Sequence, residues 1–393
     1  MIDVFLVSGA RTAIGAYGGS LKDQTPAQLG ELVARAAMSR GAVSPEMVSQ
    51  AVFGQVIPTV PADAYISRVI AVNAGVPHEA PALTVNRLCG SGLQAILTAA
   101  QGLMLGDGEV ALAGGTEVMS RAPYYASGMR WGQRLGDSAM IDALNGALTD
   151  PFNATLMGVT AENVADRYGI TRDAQDALAL ESHWRAAAAI EAGYFRDQIV
   201  PVETTIRRKT ILFECDEHVR FKVTLEELTK LRPLFRKEGG TVTAGNASGI
   251  NDGAAAVVLA TGAAVARERL KPLARLVAYG HAGVDPAYMG IGPVAATRLA
   301  LKRAGLSLGD IDVIESNEAF AAQACAVANE LEFDPARVNP NGSGISLGHP
   351  VGATGAILTV KLLAELHRVG GRYGLVTMCI GGGQGIAAIF ERA

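Results

Sequence analysis

The chain repeats itself. Residues 25–56, TPAQLGELVARAAMSRGAVSPEMVSQAVFGQV, and residues 291–320, IGPVAATRLALKRAGLSLGDIDVIESNEAF, share one order: a helix, a turn of small residues, a serine, an acidic residue and a strand. A second pair extends the likeness. Residues 89–115, CGSGLQAILTAAQGLMLGDGEVALAGG, run from a Gly-rich turn through a helix to a strand ending in glycines, and residues 341–383 repeat that order around a longer Gly-rich insert. A duplicated β-α module has to bury two similar halves against each other, and this constraint outweighs any local propensity.

Residues 1–120 alternate apolar strands, expected at 3–8, 51–57 and 109–113, with helices expected at 26–40 and 92–105. In the second helix, apolar residues at 93, 96, 97, 100, 103 and 104 keep a helical spacing. Residues 121–245 break the pattern with YYASGMRWGQRLGD, a helix opened by Thr171, and the polar stretch TTIRRKTILFECDEHVRFKVT. They read as an inserted lobe. The α/β alternation resumes after residue 270.

With 393 residues, 49% hydrophobic and 18% charged, the chain suits a large globular core. A net charge of −4 recommends neither nucleic acid nor an anionic membrane surface as partner. The opening MIDVFLVSGARTAIG reads as a first strand rather than a leader, and no apolar run is expected to reach membrane-spanning length. Cys89, Cys215, Cys325 and Cys379 lack disulfide-framework and zinc-ligand spacing, which points to a reducing, cytoplasmic setting.

Four stretches carry candidate chemistry. Cys89 in NRLCGSG sits where a strand bends into a helix. Helix N–H groups there would lower a thiol pKa; the alternative is a small residue packed in a tight corner. His349 lies in NPNGSGISLGHPVGATG, residues 339–355, either as a base or as a solvent-facing loop residue. The loop lacks the lysine of a phosphate-binding P-loop. Cys379 ends a strand expected at 375–379 and precedes three glycines whose N–H groups suit an oxyanion. Asn317 and Glu318 follow a strand ending near Ser316; Asn317 suits either a cap for the next helix or a polar group serving chemistry at a strand end, and Cys325 within that helix is expected to be a core residue. Packing or solvated roles are expected for His183, His367 and Cys215, and His78, His218 and His281 have no metal-like spacing. Brought together, two thiols, an imidazole and glycine amides would make an acyl-transfer site.

These motifs, together with VSGARTAIGAYGGSLKD, AGGTEVMSRAPY, MGVTAENVADRYGI, TAGNASGINDGAAA and NEAFAAQ, resemble the thiolase family along essentially the whole chain. Within it, the similarity is greatest to the bacterial broad-specificity β-ketothiolases, or acetyl-CoA acetyltransferases, associated with polyhydroxyalkanoate monomer supply. The resemblance implies an α/β fold: a five-layered αβαβα core of two similar halves, 1–120 plus 250–270 and 271–393. A loop domain, 121–249, would cover the active site and bind CoA. It implies Cys89 as the acylated nucleophile and His349 as its base. Asn317 would position a water beside His349, Cys379 would be the second acid/base, and the amides of Cys89 and Gly381 would form an oxyanion hole.

It further implies Ser248 along the pantetheine arm, Arg220 at the nucleotide end of CoA, and Met157, Met289, Phe235 and Phe320 around the acyl tunnel. No prosthetic group or metal is required; acetyl-CoA, CoA and 3-ketoacyl-CoA are the substrates, and the assembly would be a homotetramer with contacts from YYASGMRWGQRLGD. Two departures stand out. Leu156 replaces a histidine that borders the CoA tunnel in many relatives, and Ser316 replaces an alanine. The alternatives within reach are a mainly degradative 3-ketoacyl-CoA thiolase for longer chains and a non-catalytic acyl-CoA or lipid-binding relative. The presence of Cys89, Asn317, His349 and Cys379 together speaks against the latter.

Overall fold

The repeat extends to the backbone hydrogen bonds of the computed structural model, which describes residues 2–206 and 208–393. Nine strands matter: β1 Val4–Arg11, β2 Gln50–Gly54, β3 Ala82–Val85, β4 Val110–Val118, β5 Asn251–Thr261, β6 Ala274–Gly283, β7 Val313–Ser316, β8 Tyr373–Ile380 and β9 Gln384–Arg392. The main helices are α1 Pro26–Arg40, α2 Ser91–Leu105, α3 Met157–Tyr168, α4 Arg172–Glu191, α5 Gly292–Ala304, α6 Ala321–Leu331 and α7 Thr354–Val369.

The first half orders its strands β1-β5-β4-β2-β3, with two antiparallel pairings followed by two parallel ones. The second half repeats this as β6-β9-β8-β7, antiparallel, antiparallel, parallel, and Val338 bridges to Ile314 where the fifth strand would lie. Even the irregularities match: a register shift between Leu6 and Ser8 in β1 has its counterpart between Leu276 and Ala278 in β6. The serine of each motif, Ser44 or Ser307, precedes a single 3-10 turn. The halves meet edge to edge where Phe5 and Leu6 pair with Arg275 and Ala274.

Helices α2 and α7 pack on each other between the two half-sheets, while α1 covers the outside of the first and α5 the outside of the second, giving five layers. The central contact is very close. A Cβ on Gly92 would lie 2.7 Å from the backbone N of Ala356, and one on Gly355 would lie 2.3 Å from that of Leu93. Only glycine lets the two helix entrances approach this far. The segment Leu88–Leu105 does reach the length and apolarity of a membrane span, contrary to the sequence expectation. It is a core helix: ten residues of α2 are buried, as a helix in the middle of five layers must be.

In the lobe, Thr171 caps α4 by accepting the N–H of Ala174, as its sequence context suggests. The lobe is tied to β1 by a fully buried ion pair: the Arg11 guanidinium reaches both Asp216 oxygens at 2.8 and 3.0 Å and lies over the Phe195 ring. Cys215 beside it is exposed rather than packed, because its neighbour Asp216 takes the inward position. Cys325 on α6 is half-buried, at the edge of the core rather than inside it. His367 is exposed, whereas His183 is buried and accepts the N–H of Arg220 on Nδ1 at 3.1 Å. Among the described residues, no group of three or more His, Cys, Asp or Glu side chains gathers as metal ligands would.

Two consequences are measurable. Gly355→Ala should cost about 1–3 kcal/mol through overpacking, read as a lower urea midpoint at unchanged slope. Burial, aided by the Arg220 charge, pushes His183 down to about 3 and His218 to about 4. Their folded values lie below the unfolded value of about 6.5, so the unfolded chain takes up more protons. Their contribution to stability is complete above about pH 6.5 and is lost as pH falls through the folded values. The urea midpoint should therefore drop on going from about pH 7 to about pH 4.5, and drop less in His183→Gln.

Candidate active site

The sequence candidates collect at the strand ends and helix entrances between the halves. Asn86 opens the approach to Cys89: its Oδ1 accepts the N–H of Leu88 at 2.9 Å and its Nδ2 donates to the Val56 carbonyl at 3.3 Å. Leu88 adopts φ +45°, a conformation that costs a branched side chain energy and is held only by its surroundings. This bend turns Cys89 toward the second half at the mouth of α2. The N–H groups of Gly381 and of Cys89 itself both lie against the sulfur.

Those amides favour a thiolate, yet desolvation outweighs them and the thiol is pushed up to about 11, with the Glu117 charge adding to the rise. The expectation of a lowered pKa from the helix entrance is therefore corrected. Cys89 is half-buried and open on one side, but protein atoms crowd its sulfur closely enough for desolvation to prevail. Cys379, at the end of β8, is fully buried; desolvation raises its thiol pKa further, and the nearby Cys89 adds to this. The two thiols thus share one site.

His349 is buried in the Gly-rich loop rather than facing solvent, and burial holds it neutral, at about 4. Its Nδ1 lies 2.7 Å from Thr354 Oγ1, and its backbone N–H donates to Asn251 Oδ1 at 2.9 Å. Its Nε2 faces the Asn317 amide nitrogen at 3.4 Å. Asn317 is fully buried and its Oδ1 has no partner among the described residues. It is not a helix cap: α6 starts at Ala321, whose N–H is taken by the Asn246 carbonyl at 2.8 Å, which frees the Asn317 amide to face the imidazole.

Met157, Met289, Ala319 and Cys379 form one buried apolar cluster with Phe320 packed on it. Phe235 meets Phe320 edge to face at 6.3 Å. The Ser248 N–H donates to the Ala319 carbonyl at 2.9 Å, which sets Ser248 beside the same cluster. Leu156, partly exposed, directly precedes α3 and Met157. Arg220 is exposed and lines a separate surface cavity of about 400 Å³ with Lys222, Glu227 and Leu231. Sequence reasoning missed Thr354, Asn251 and Glu117. Only Glu117 left a trace: a carboxylate ending the uninterrupted buried strand VALAGGTEV.

Comparison with known proteins agrees with this arrangement. Residues 4–263 match the family described as "Thiolase, N-terminal domain" and residues 270–392 the one described as "Thiolase, C-terminal domain". The "Beta-ketothiolase BktB" of Cupriavidus necator is 66% identical over 390 residues, covering 99% of each chain. The crystal structure of human mitochondrial 3-ketoacyl-CoA thiolase in complex with CoA superposes with a TM-score of 0.96 at 48% identity, over 100% of this chain and 98% of that one. The Bacillus anthracis acetyl-CoA acetyltransferase gives a TM-score of 0.97 at 47% identity, over 100% and 99%. Both halves of the doubled α/β frame match one family: this chain belongs to the thiolases.

Proposed function

We propose that this chain is an acyl-CoA C-acetyltransferase. It condenses acetyl-CoA with acetyl-CoA or a short acyl-CoA, and cleaves 3-ketoacyl-CoA with CoA in reverse. The observation that carries this reading is the pairing of two desolvated thiols, half-buried Cys89 and buried Cys379, one beside the amides of Gly381 and Cys89 and the other inside an apolar cluster. A decarboxylating relative would need a histidine in place of the second thiol.

The tautomer of His349 follows from its partner. Thr354 donates its hydroxyl proton to the Pro350 carbonyl at 2.9 Å, so its oxygen accepts from His349 Nδ1–H. The Nε2 lone pair is left to take a proton. Cys89 and His349 therefore rest as a neutral pair, and the thiol is deprotonated only as it attacks. Attack on acetyl-CoA breaks the acyl–sulfur bond, leaves acetyl on Cys89 and releases CoA with the proton from His349. Amide donors at Cys89 and Gly381 stabilise the oxyanion; each such donor is typically worth about 2.7–4 kcal/mol.

Cys379 then gives its own proton to His349 Nε2 and, as a thiolate, removes the α-proton of the second acyl-CoA. The enolate oxygen is held by His349 Nε2–H and by a water on the orphaned Asn317 Oδ1. Carbon–carbon bond formation expels the Cys89 thiolate, which takes the proton from His349 Nε2 while Cys379 keeps the α-proton, and the neutral resting site is restored. The group transfers involve no change of oxidation state that would demand a redox cofactor.

Residues 121–249 would close over this site as the CoA-binding loop domain. Arg220 and Lys222 at their cavity suit the nucleotide phosphates, with Ser248 beside the pantetheine. Met157, Leu156, Met289, Phe235 and Phe320 would bound the acyl tunnel, apolar and without a tunnel-lining histidine. A homotetramer in the cytoplasm fits the exposed apolar side chains of Tyr124, Met129, Trp131, Leu135 and Met140, which ask for a partner surface. Light scattering should give the mass of four chains.

Three outcomes test the chemistry. Cys379→Ala should still form the Cys89 acyl-enzyme, seen as a mass increase of one acetyl group, but not condense; rapid condensation would remove Cys379 from the mechanism. Thr354→Val leaves Nδ1–H unpaired and should cost about 1–3 kcal/mol, roughly 5–150-fold in kcat/KM for thiolysis of acetoacetyl-CoA. A kcat/KM series over 3-ketoacyl-CoAs of increasing chain length should stay within about tenfold past the shortest member. A steep fall after acetoacetyl-CoA sinks broad specificity, and a steep rise favours a degradative long-chain enzyme.

A further inference from the structure

A carboxylate that the mechanism does not use lies next to the nucleophile. Glu117, the second-last residue of β4, is fully buried. Its Oε2 accepts the N–H of Val56 and of Gly352, each at 2.9 Å, and its Oε1 accepts the N–H of Ile57 at 3.1 Å. A buried carboxylate is tolerated only when such donors replace water. Here they come from two segments about 300 residues apart in sequence, one from each half of the molecule.

Each segment leads to a reacting group. Val56 continues through its carbonyl to Asn86 Nδ2, and Asn86 Oδ1 holds the N–H of Leu88, the residue before Cys89. Gly352 belongs to the turn that follows His349. The N–H groups of Ala353 and Thr354 fold back on the Pro350 carbonyl, and Thr354 grips the imidazole. Val351 packs with Val56 and Ile57 in one apolar cluster, against Leu88 and Cys89. The fit leaves no slack: a Cβ on Gly352 would stand 2.5 Å from Glu117 Oε2 and 3.0 Å from Gln55 Cα.

We propose that Glu117 is a positioning residue that sets the distance and angle between Cys89 and His349 by holding the two halves' active-site segments on one carboxylate. It touches neither substrate nor reacting atoms. Its effect is on acylation, the step that needs sulfur and imidazole in register. Binding of CoA, which takes place on the lobe, is outside its reach. The proposal rests on the thiolase reaction assigned above.

The test is single-turnover acetylation and steady-state thiolysis of acetoacetyl-CoA by Glu117→Gln, whose amide turns N–H groups toward at least one of the three donors. Acetylation should slow about 10²-fold, the cost of a misplacement on the ångström scale, with KM within about threefold of wild type. Rates are taken per titratable Cys89, so loss of folded protein does not count. Asn86→Ala, at an exposed position, cuts the same linkage on the Cys89 side and should slow acetylation about tenfold at unchanged KM; it decides the matter if Glu117→Gln does not fold. Acetylation within about threefold of wild type in folded Glu117→Gln, or in Asn86→Ala when the first variant is unfolded, overturns the positioning role. So does a loss that appears only in KM. Absence of turnover in wild type overturns the functional reading itself, and this proposal with it.

Discussion

The rest of the structure depends on one close helix contact at the centre of the core. Gly92 and Gly355 let α2 and α7 touch backbone to backbone between two half-sheets. One half alone would leave its central helix with an apolar face and no cover. With both present, the helix entrances converge, and each entrance carries a proposed reacting group: Cys89 just ahead of α2, and His349 just ahead of α7. The duplication is symmetric in its hydrogen bonding and asymmetric in its chemistry, because a Gly-rich insert lengthens only the second entrance.

That convergence creates a dry site, and dryness decides its electrostatics. A helix N-terminus alone would argue for a resting thiolate at Cys89. Burial reverses the sign, raising the thiol to about 11 while lowering His349 to about 4. An ion pair is therefore not stored in the resting site. Charge develops only when substrate arrives, where amide donors already point at it. The same desolvation raises Cys379, which suits a thiol that both takes and returns a proton on carbon.

Much of the frame was legible in the chain. The helices at 26–40 and 92–105 are present within a residue, because each combines periodic apolar positions with a clear start. The strand expected at 109–113 runs on to Val118, because its glycines sit in a buried sheet interior where packing overrides their poor strand propensity. Asn317 looked like a cap, since an asparagine before an alanine-rich helix ordinarily is one. The helix entrance is instead satisfied by the Asn246 carbonyl, from a segment the local pattern does not mention. The lobe's Cys215 turned outward for a similar reason: the buried place went to Asp216, which answers Arg11 from 205 residues away.

The sequence by itself determined the doubled α/β frame, the Gly-rich turns at the helix entrances and the candidate reactive side chains. These follow from periodicity and from motifs read along a continuous stretch. Only the tertiary structure decided which protons those side chains keep. The hydroxyl of Thr354 fixes the imidazole tautomer, Asn251 and Glu117 hold the His349 loop to the other half, and burial sets each pKa. Such properties depend on distance and on excluded water, and groups hundreds of residues apart acquire both only when the halves close on each other.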